Sequence, residues 1–222
     1  MLLAVDTSTQ TIGIALYDGA QVLGEMHWQT QTHHTVELAP AVDDLLSRCS
    51  VKPTDLKVLA CALGPGSFTS LRIGLAFIKG LAFSLTIPVL GIPTFDYLVA
   101  SQPVRDLLLA AVLPAGRKRL AVSWYHNEVN HWCTNEEPAL ITAEELSALI
   151  TQPTLICGEF GADERQILSR KWKNAILASP AQCVRHPGML AELAWNRYKG
   201  GEQDEPISLS PIYLHIAEAI PD

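Results

Sequence analysis

The chain has 222 residues, of which 48% are hydrophobic and only 18% are charged. This length suits one large domain or two small ones, and the low charged fraction indicates a face that is buried against a partner. The 16 lysines and arginines and the 23 aspartates and glutamates give a net charge of −7, which repels phosphate backbones and argues against a primary nucleic-acid-binding protein.

The cysteines and histidines are scattered, with no spacing typical of a metal site. The five cysteines show no C-x-x-C motif, so neither a disulfide framework nor a thiolate zinc site is expected, and no G-x-S-x-G motif suggests a serine hydrolase. No basic region precedes the short apolar start of the chain, and no later apolar segment looks long enough to span a bilayer. We therefore expect a cytoplasmic protein without metal, cofactor or membrane contact.

The first half predicts a mixed five-stranded α/β unit. Three strands come first, the last two joined by a hairpin at Asp18-Gly19, and helices then alternate with strands, which implies parallel crossovers. The predicted strands cover residues 2–5, 11–17, 21–28, 58–63 and 89–91, and the predicted helices cover residues 35–48, 67–85 and 94–101.

The second half repeats this pattern in shorter elements, which predicts a smaller lobe of related topology. A boundary at Gln102-Pro103 divides the chain into an N-terminal domain of residues 1–102 and a C-terminal domain of residues 103–222. Residues 211–214 are expected to dock back as an extended segment. The predicted strands cover residues 107–113, 120–125 and 129–133, and a capping box at residues 142–145 opens a predicted helix. Further elements are predicted at residues 154–157, 163–172, 175–177 and 188–198.

The stretch from Gly64 to Gly74, GPGSFTSLRIG, joins a predicted buried strand to a helix. Its first two glycines permit a tight turn, and Ser67 can cap the helix start. Such a start can also cradle a phosphate, but no Gly-Lys-Ser/Thr follows, and Thr69 replaces the third glycine of a dinucleotide-binding motif. A sharp turn with close packing is therefore favoured over anion binding.

Small residues recur along one strip of the following helix, at Ala76, Gly80 and Ser84. Glycine costs about 1 kcal/mol in a helix interior, so the strip needs a packing reason. Packing onto the chain's own sheet is the default explanation. A contact with the helix of another chain is the alternative, and it is favoured by the sparse charge of this helix.

Two further stretches leave alternatives open. Asp6-Thr7-Ser8-Thr9 follows the first strand, where the carboxylate could hold hydrated magnesium and the hydroxyls a nucleotide phosphate, but Asx and Ser/Thr turns have the same composition without a ligand. The basic runs at 117–119 and 170–173 are typical of solvated loops or helix ends, with an auxiliary RNA or anion contact as the alternative.

Three stretches, residues 3–9, 34–40 and above all 64–74, resemble the TsaB (YeaZ) family. The resemblance implies an α/β fold of two ribonuclease-H-like lobes of the acetate kinase, Hsp70 and actin superfamily, each a mixed sheet with flanking helices. It also implies a cytoplasmic, non-catalytic scaffold and dimerisation subunit in the threonylcarbamoylation of adenosine in tRNA.

The same resemblance implies partners and an interface. A metal-binding catalytic paralogue similar to TsaD would catalyse the reaction, and a small P-loop ATPase similar to TsaE would join the complex. The chain alone would form a homodimer. It would bind tRNA only indirectly. The implied interface residues lie on the first two helices: His34, Glu37, Leu38, Val42, Phe68, Arg72, Ile73, Ala76, Phe77 and Gly80.

The alternative function is that of a small-molecule phosphotransferase of the same superfamily, an ATP-dependent kinase that uses residues 6–9 as its phosphate loop. This activity requires a catalytic acid, a second phosphate loop and an adenosine pocket. Gly200-Gly201 is the only candidate for the last of these.

Overall fold

A computed structural model describes residues 1–31, 33–171 and 173–214, and it divides into two compact units. The first unit contains residues 1–101 and 185–212, and the second contains residues 102–184 with Tyr213 and Leu214. The sequence-based boundary after residue 102 therefore needs a correction for residues 185–212, which return to the first unit instead of completing the second.

The elements follow the sequence-based expectations to within a few residues for most of the chain. The strands are β1 (Leu2–Asp6), β2 (Thr11–Tyr17), β3 (Val22–Gln29), β4 (Val58–Ala62), β5 (Val89–Ile92), β6 (Leu108–Pro114), β7 (Leu120–Glu128), β8 (His131–Cys133), β9 (Ala139–Ile141), β10 (Thr154–Gly158) and β11 (Ala175–Leu177). The helices are α1 (His34–Arg48), α2 (Phe68–Leu85), α3 (Thr94–Ala100), α4 (Ala143–Leu149), α5 (Ala162–Ser169) and α6 (Pro187–Lys199), with a short 3₁₀ helix at Pro53–Asp55.

Two details differ from the expectation in the second half. Val129 and Asn130 form the turn between β7 and β8 instead of starting a strand, because both have positive φ angles, 49° and 62°. Strand β9 was not predicted from the sequence, since its three residues are too few to show a period-two pattern.

The first unit is built on a sheet with the strand order β3-β2-β1-β4-β5. Strands β1, β2 and β3 are antiparallel neighbours, while β1, β4 and β5 are parallel, which confirms the mixed five-stranded sheet. Alternate residues face opposite sides: Leu3 and Val5 belong to the core beneath α1 and α2, and Leu2 and Ala4 to the core beneath α3 and α6. Helices cover both faces, which explains why β1 and β4 are apolar almost throughout.

Helix α6 explains why the end of the chain belongs to the first unit. Its small apolar stripe, Leu190, Ala191 and Ala194, is fully buried against that sheet. The chain then passes the edge strand β5, where Asp204 bridges to Val89. The predicted docking of the tail is confirmed at Ile212, whose backbone N–H donates to the Leu63 carbonyl at 2.7 Å.

The second unit repeats the arrangement of the first. Its sheet has the order β11-β10-β6-β7-β8, with β9 also paired to β7. As with β1, the central strand β6 has an antiparallel neighbour, β7, on one side and a parallel neighbour, β10, on the other. Helices α4 and α5 cover one face, and the predicted capping box of α4 is present between Thr142 and Glu145. The related topology of the second lobe is thus confirmed.

Helix α2 corrects one expectation from the sequence. By length and composition alone it is long and apolar enough to cross a membrane, whereas no such segment was expected. In the structure, Leu75, Ile78 and Ala82 pack one side of the helix onto the core of the first unit.

Candidate functional site

The loop after β1 is closed by an arginine from the far end of the sequence. Arg185, just before α6, donates from Nε to the Asp6 carboxylate at 2.9 Å, and the side chains are 0% and 2% exposed respectively. A second guanidinium nitrogen donates to Thr9 Oγ1 at 3.0 Å. The other carboxylate oxygen of Asp6 accepts the Ser8 backbone N–H at 2.7 Å. The carboxylate therefore already has a cation and a hydrogen-bond donor.

The three hydroxyls of this loop are also engaged inside the first unit. Thr7 Oγ1 donates to the Ser70 carbonyl at 2.7 Å, Ser8 Oγ shares a hydrogen bond with Thr94 Oγ1 at 2.8 Å, and Thr9 Oγ1 accepts a backbone N–H two residues on. All four loop residues are at most 3% exposed. The stretch considered as a residual phosphate loop is thus buried, and its side chains are not available to a phosphate in this structure.

The electrostatics of the loop favour an ionised Asp6. Burial alone would raise the pKa of this carboxyl, but the adjacent Arg185 charge and the local hydrogen bonds hold the pKa below its ordinary value of 3.8. The Tyr97 hydroxyl is buried next to the pair, and burial together with the Asp6 charge raises its pKa well above 10.0. Asp6 and Arg185 therefore form a buried ion pair beside a neutral tyrosine.

The glycine-rich turn before α2 packs directly on this loop. The Ser67 backbone N–H donates to the Ser8 carbonyl at 2.7 Å, and a Cβ on Gly66 would collide with that same carbonyl. Gly64 has a φ of +101°, which favours glycine. A Cβ on Gly74 would collide with Thr7 Oγ1. These contacts confirm the sharp turn with close packing that the sequence favoured.

The small-residue strip of α2 points away from the sheet. Ala76, Gly80 and Ser84 are exposed, and a Cβ on Gly80 would meet no atom within 4 Å. The default expectation, packing of this strip onto the chain's own sheet, is therefore wrong. The reason is that the i, i+3, i+4 positions around Leu71, Leu75 and Ile78 already occupy the sheet-facing side.

Large apolar side chains flank the strip on the same side of the helix. Phe83 is 90% exposed and Phe68 is 53% exposed, and the Arg72 guanidinium stacks 3.6 Å from the centre of the Phe68 ring. We call this surface the outer face of α2, and its residues are Phe68, Arg72, Ala76, Gly80, Phe83 and Ser84. It combines a flat stretch for close helix approach with aromatic groups that water solvates poorly.

Three interface candidates on α1 require correction. His34, Leu38 and Val42 follow one another at four-residue spacing on the sheet-facing side, so all three are buried, and the two aliphatic residues belong to the core. His34 Nε2 lies 2.9 Å from the Thr9 carbonyl, which ties it to the Asp6 loop. These side chains are therefore not available to a partner in this structure.

The remaining candidates are distributed as follows. Glu37 is half-buried, and its carboxylate accepts hydrogen bonds from Trp28 Nε1 at 2.6 Å and from Thr30 Oγ1 at 2.8 Å. Ile73 and Phe77 are half-buried on α2, at the border of its outer face. The other four, Phe68, Arg72, Ala76 and Gly80, are exposed on that face.

Sequence reasoning missed two important residues. Arg185 lies between Val184 and His186, and no local feature of the sequence distinguishes it. The one signal that could have indicated a partner for Asp6 is that a buried carboxylate requires a cation. Phe83 was overlooked because an apolar residue in an apolar helix is normally assigned to the core, although its position three residues after Gly80 places it on the outer face.

No metal site is found among residues 1–31, 33–171 and 173–214. Within these ranges, no group of three or more histidine, cysteine, aspartate or glutamate side chains is arranged to hold a metal ion.

Comparison with known proteins places the chain close to tRNA-modification proteins. Residues 26–158 match the family model described as TsaD, tRNA N6-adenosine threonylcarbamoyltransferase. The chain is 30% identical over 222 residues to the tRNA threonylcarbamoyladenosine biosynthesis protein TsaB of Bacillus subtilis, an alignment that covers 98% of this chain and 95% of the relative.

Solved structures agree with this relationship. YeaZ from Pseudomonas aeruginosa matches with a TM-score of 0.77 and 25% identity, over 96% of this chain and 99% of that one. The ethanolamine utilization protein EutJ from Carboxydothermus hydrogenoformans matches with a TM-score of 0.51 and 12% identity, over 86% and 88% of the two chains, which concerns the fold alone. The expected α/β fold class is confirmed by these likenesses.

Proposed function

The chain belongs to the TsaB family, and from this membership we propose that it acts in the biosynthesis of threonylcarbamoyladenosine in tRNA as a non-catalytic scaffold subunit. The observation that carries the proposal is the closed Asp6 loop. Arg185 neutralises its one carboxylate, and its hydroxyls are bound within the first unit. A loop in this state supports a structural role over the phosphotransferase alternative.

The outer face of α2 supports the scaffold role. Two exposed phenylalanines, Phe68 in the first turn of α2 and Phe83 in its last turn, flank a flat glycine-containing strip. Such a surface is costly when free and suits close helix packing against another chain. We propose that this face binds a TsaD-like catalytic subunit, and that it mediates a homodimer when the partner is absent. A TsaE-like ATPase would join the assembly.

The net charge of the chain agrees with a role in which other subunits bind the tRNA. A protein with a net charge of −7 is a poor primary ligand for a polyanion, so the other subunits would hold most of the tRNA. The reaction would take place in the cytoplasm, on the catalytic subunit.

Reconstitution of the modification reaction tests this proposal. The mixture contains tRNA, a TsaD-like protein, a TsaE-like ATPase and the enzymes that supply the threonylcarbamoyl group, with and without this chain. We expect modified adenosine only when the chain is present, and we expect Ser8→Ala to support the reaction as well as wild type because the loop is not catalytic. Full modification without the chain contradicts the scaffold role.

A separate assay addresses the phosphotransferase alternative. We expect the purified chain to show no ATP turnover above contaminant level. A turnover on the order of 1 per second or more, lost in Ser8→Ala, would instead assign catalysis to the loop.

A further inference from the structure

The hairpin between β6 and β7 carries three consecutive cations at its tip, Arg117, Lys118 and Arg119. Two backbone hydrogen bonds close the turn, from Ala115 N–H to the Arg119 carbonyl at 2.9 Å and from Arg119 N–H to the Gly116 carbonyl at 2.8 Å. The tip is therefore a defined turn at the end of two long strands.

The backbone of this turn is unusual for the residues that occupy it. Gly116, Arg117 and Lys118 all have positive φ angles, 73°, 49° and 59°. This region suits glycine and asparagine and disfavours long side chains. Arg117 and Lys118 are thus held at the tip in spite of the local backbone preference, so a replacement by asparagine and glycine should stabilise the fold.

The side chains of Arg117 and Lys118 have no partner among the described residues. Both are exposed, and neither makes a hydrogen bond or an ion pair in the part of the chain that the structure covers. Some other cations of the chain are engaged, for example Arg48, which pairs with Asp44, and Lys79, which donates to the Leu209 carbonyl, whereas Arg170 and Lys171 are exposed like the tip. Arg119 is half-buried and makes contacts of its own. Two adjacent positive charges therefore point to solvent.

The composition of the hairpin itself suits phosphate better than an acidic protein surface. Protein interfaces depend on buried aromatic or aliphatic anchors. None of the exposed large hydrophobic residues in the described ranges lies between residues 105 and 128. A tip with two free cations and no apolar anchor can bind a partner mainly through electrostatic attraction. Proteins contact the phosphates of nucleic-acid backbones in this way.

We propose that Arg117 and Lys118 bind the sugar-phosphate backbone of tRNA as an auxiliary contact. The inference rests on the proposed function, since it takes tRNA as the polyanion that the assembly handles. It refines the expectation that tRNA is bound only indirectly: the acidic chain as a whole repels RNA, and this one hairpin attracts it.

Three double variants of the full chain test the proposal. R117N/K118G removes both charges and supplies residues that tolerate the turn. V129N/N130G makes the same kind of change in the β7–β8 turn, where both residues also have positive φ, but removes no charge. R170Q/K171Q removes two charges from the other basic run, after α5. The probe is an unmodified tRNA transcript, and fluorescence anisotropy gives its Kd for each protein at several salt concentrations.

We expect R117N/K118G to bind tRNA about tenfold more weakly than wild type, and to reduce the slope of log K against log salt by up to about 2, because each lost phosphate contact removes roughly one unit or less. Both control variants should bind within about twofold of wild type. The melting temperature should rise in R117N/K118G, which separates lost affinity from lost folding.

The opposite results overturn the proposal. These are undetectable binding of wild type at low salt, equal tRNA affinity of R117N/K118G and wild type, or an equal loss in R170Q/K171Q. Preferential binding of polyglutamate over tRNA would assign the tip to an acidic protein surface instead. Binding to a TsaD-like subunit is measured in parallel, because the scaffold proposal predicts that R117N/K118G retains it whatever happens to tRNA.

Discussion

The guanidinium of Arg185 lies 2.9 Å from the carboxylate of Asp6, although 179 positions separate the two residues in sequence. The pair fastens the segment that precedes α6 to the end of β1. Together with the buried stripe of α6 it holds residues 185–212 to the first unit, and it closes the loop that begins at Asp6.

Breaking this pair from one side should be costly. Arg185→Met leaves the Asp6 carboxylate buried without its cation, so we expect the free energy of unfolding to fall by about 3 kcal/mol. Urea denaturation measures the change. The double variant Asp6→Asn/Arg185→Met should lose clearly less than the two single variants combined, since it leaves no unpaired charge. A cost below about 1 kcal/mol for Arg185→Met would show that the pair does not hold the segment.

The same pair predicts a dependence of stability on pH. The pKa of Asp6 in the folded chain is below 3.8, its ordinary value, so the unfolded chain binds this proton more readily. The stabilisation is therefore complete above about pH 4 and is lost as the pH falls through the folded pKa. We expect the free energy of unfolding to fall more steeply in wild type than in Asp6→Asn between about pH 4 and pH 2. Parallel curves for the two proteins would mean that another group causes the acid sensitivity.

Two glycines of α2 should respond in opposite directions to alanine. At Gly80 a Cβ meets no atom within 4 Å, so Gly80→Ala should raise the free energy of unfolding by about 0.5–1 kcal/mol through helix propensity. At Gly74 the Cβ would collide with Thr7 Oγ1, so Gly74→Ala should destabilise the fold. Thermal or urea unfolding compares the two directly. The same sign at both positions would contradict the assigned orientation of the helix.

Asp204 should stabilise the edge strand β5. Its carboxylate accepts the Gly91 backbone N–H at 2.7 Å and a guanidinium nitrogen of Arg197 at 3.3 Å. Asp204→Ala leaves the N–H of an edge strand without its partner, so we expect a loss of about 1–2 kcal/mol in the free energy of unfolding. Hydrogen exchange at the Gly91 amide should also become faster. An unchanged exchange rate would mean that the carboxylate does not protect this edge.

Local patterns in the sequence were sufficient to predict most elements. Short apolar runs, a hairpin signal and helical periodicity indicated the five strands and three helices of residues 1–101, and the capping box of α4 located its start. The glycine-rich turn before α2 was also interpreted correctly, because glycines at a strand-to-helix junction have a direct steric reason.

Relationships between distant residues could not be predicted in the same way. Nothing near Arg185 indicates that it reaches Asp6, and the stripe of α6 does not reveal which sheet it covers. The outer face of α2 shows a further limit. The spacing of Ala76, Gly80 and Ser84 indicated a strip for close approach, but only the tertiary structure shows that it faces solvent.

The proposed scaffold role depends on binding of the partner through the outer face of α2. Size-exclusion chromatography with light scattering, applied to the chain alone and mixed with a TsaD-like subunit, measures this binding. Gly80→Leu places a large side chain where two helices would meet, while Gly80→Ala keeps the strip flat. We expect wild type and Gly80→Ala to form the homodimer and the mixed complex. We expect Gly80→Leu to remain folded, with a melting temperature close to that of wild type, but to form neither. If folded Gly80→Leu binds the partner as tightly as wild type does, the outer face of α2 is not the interface.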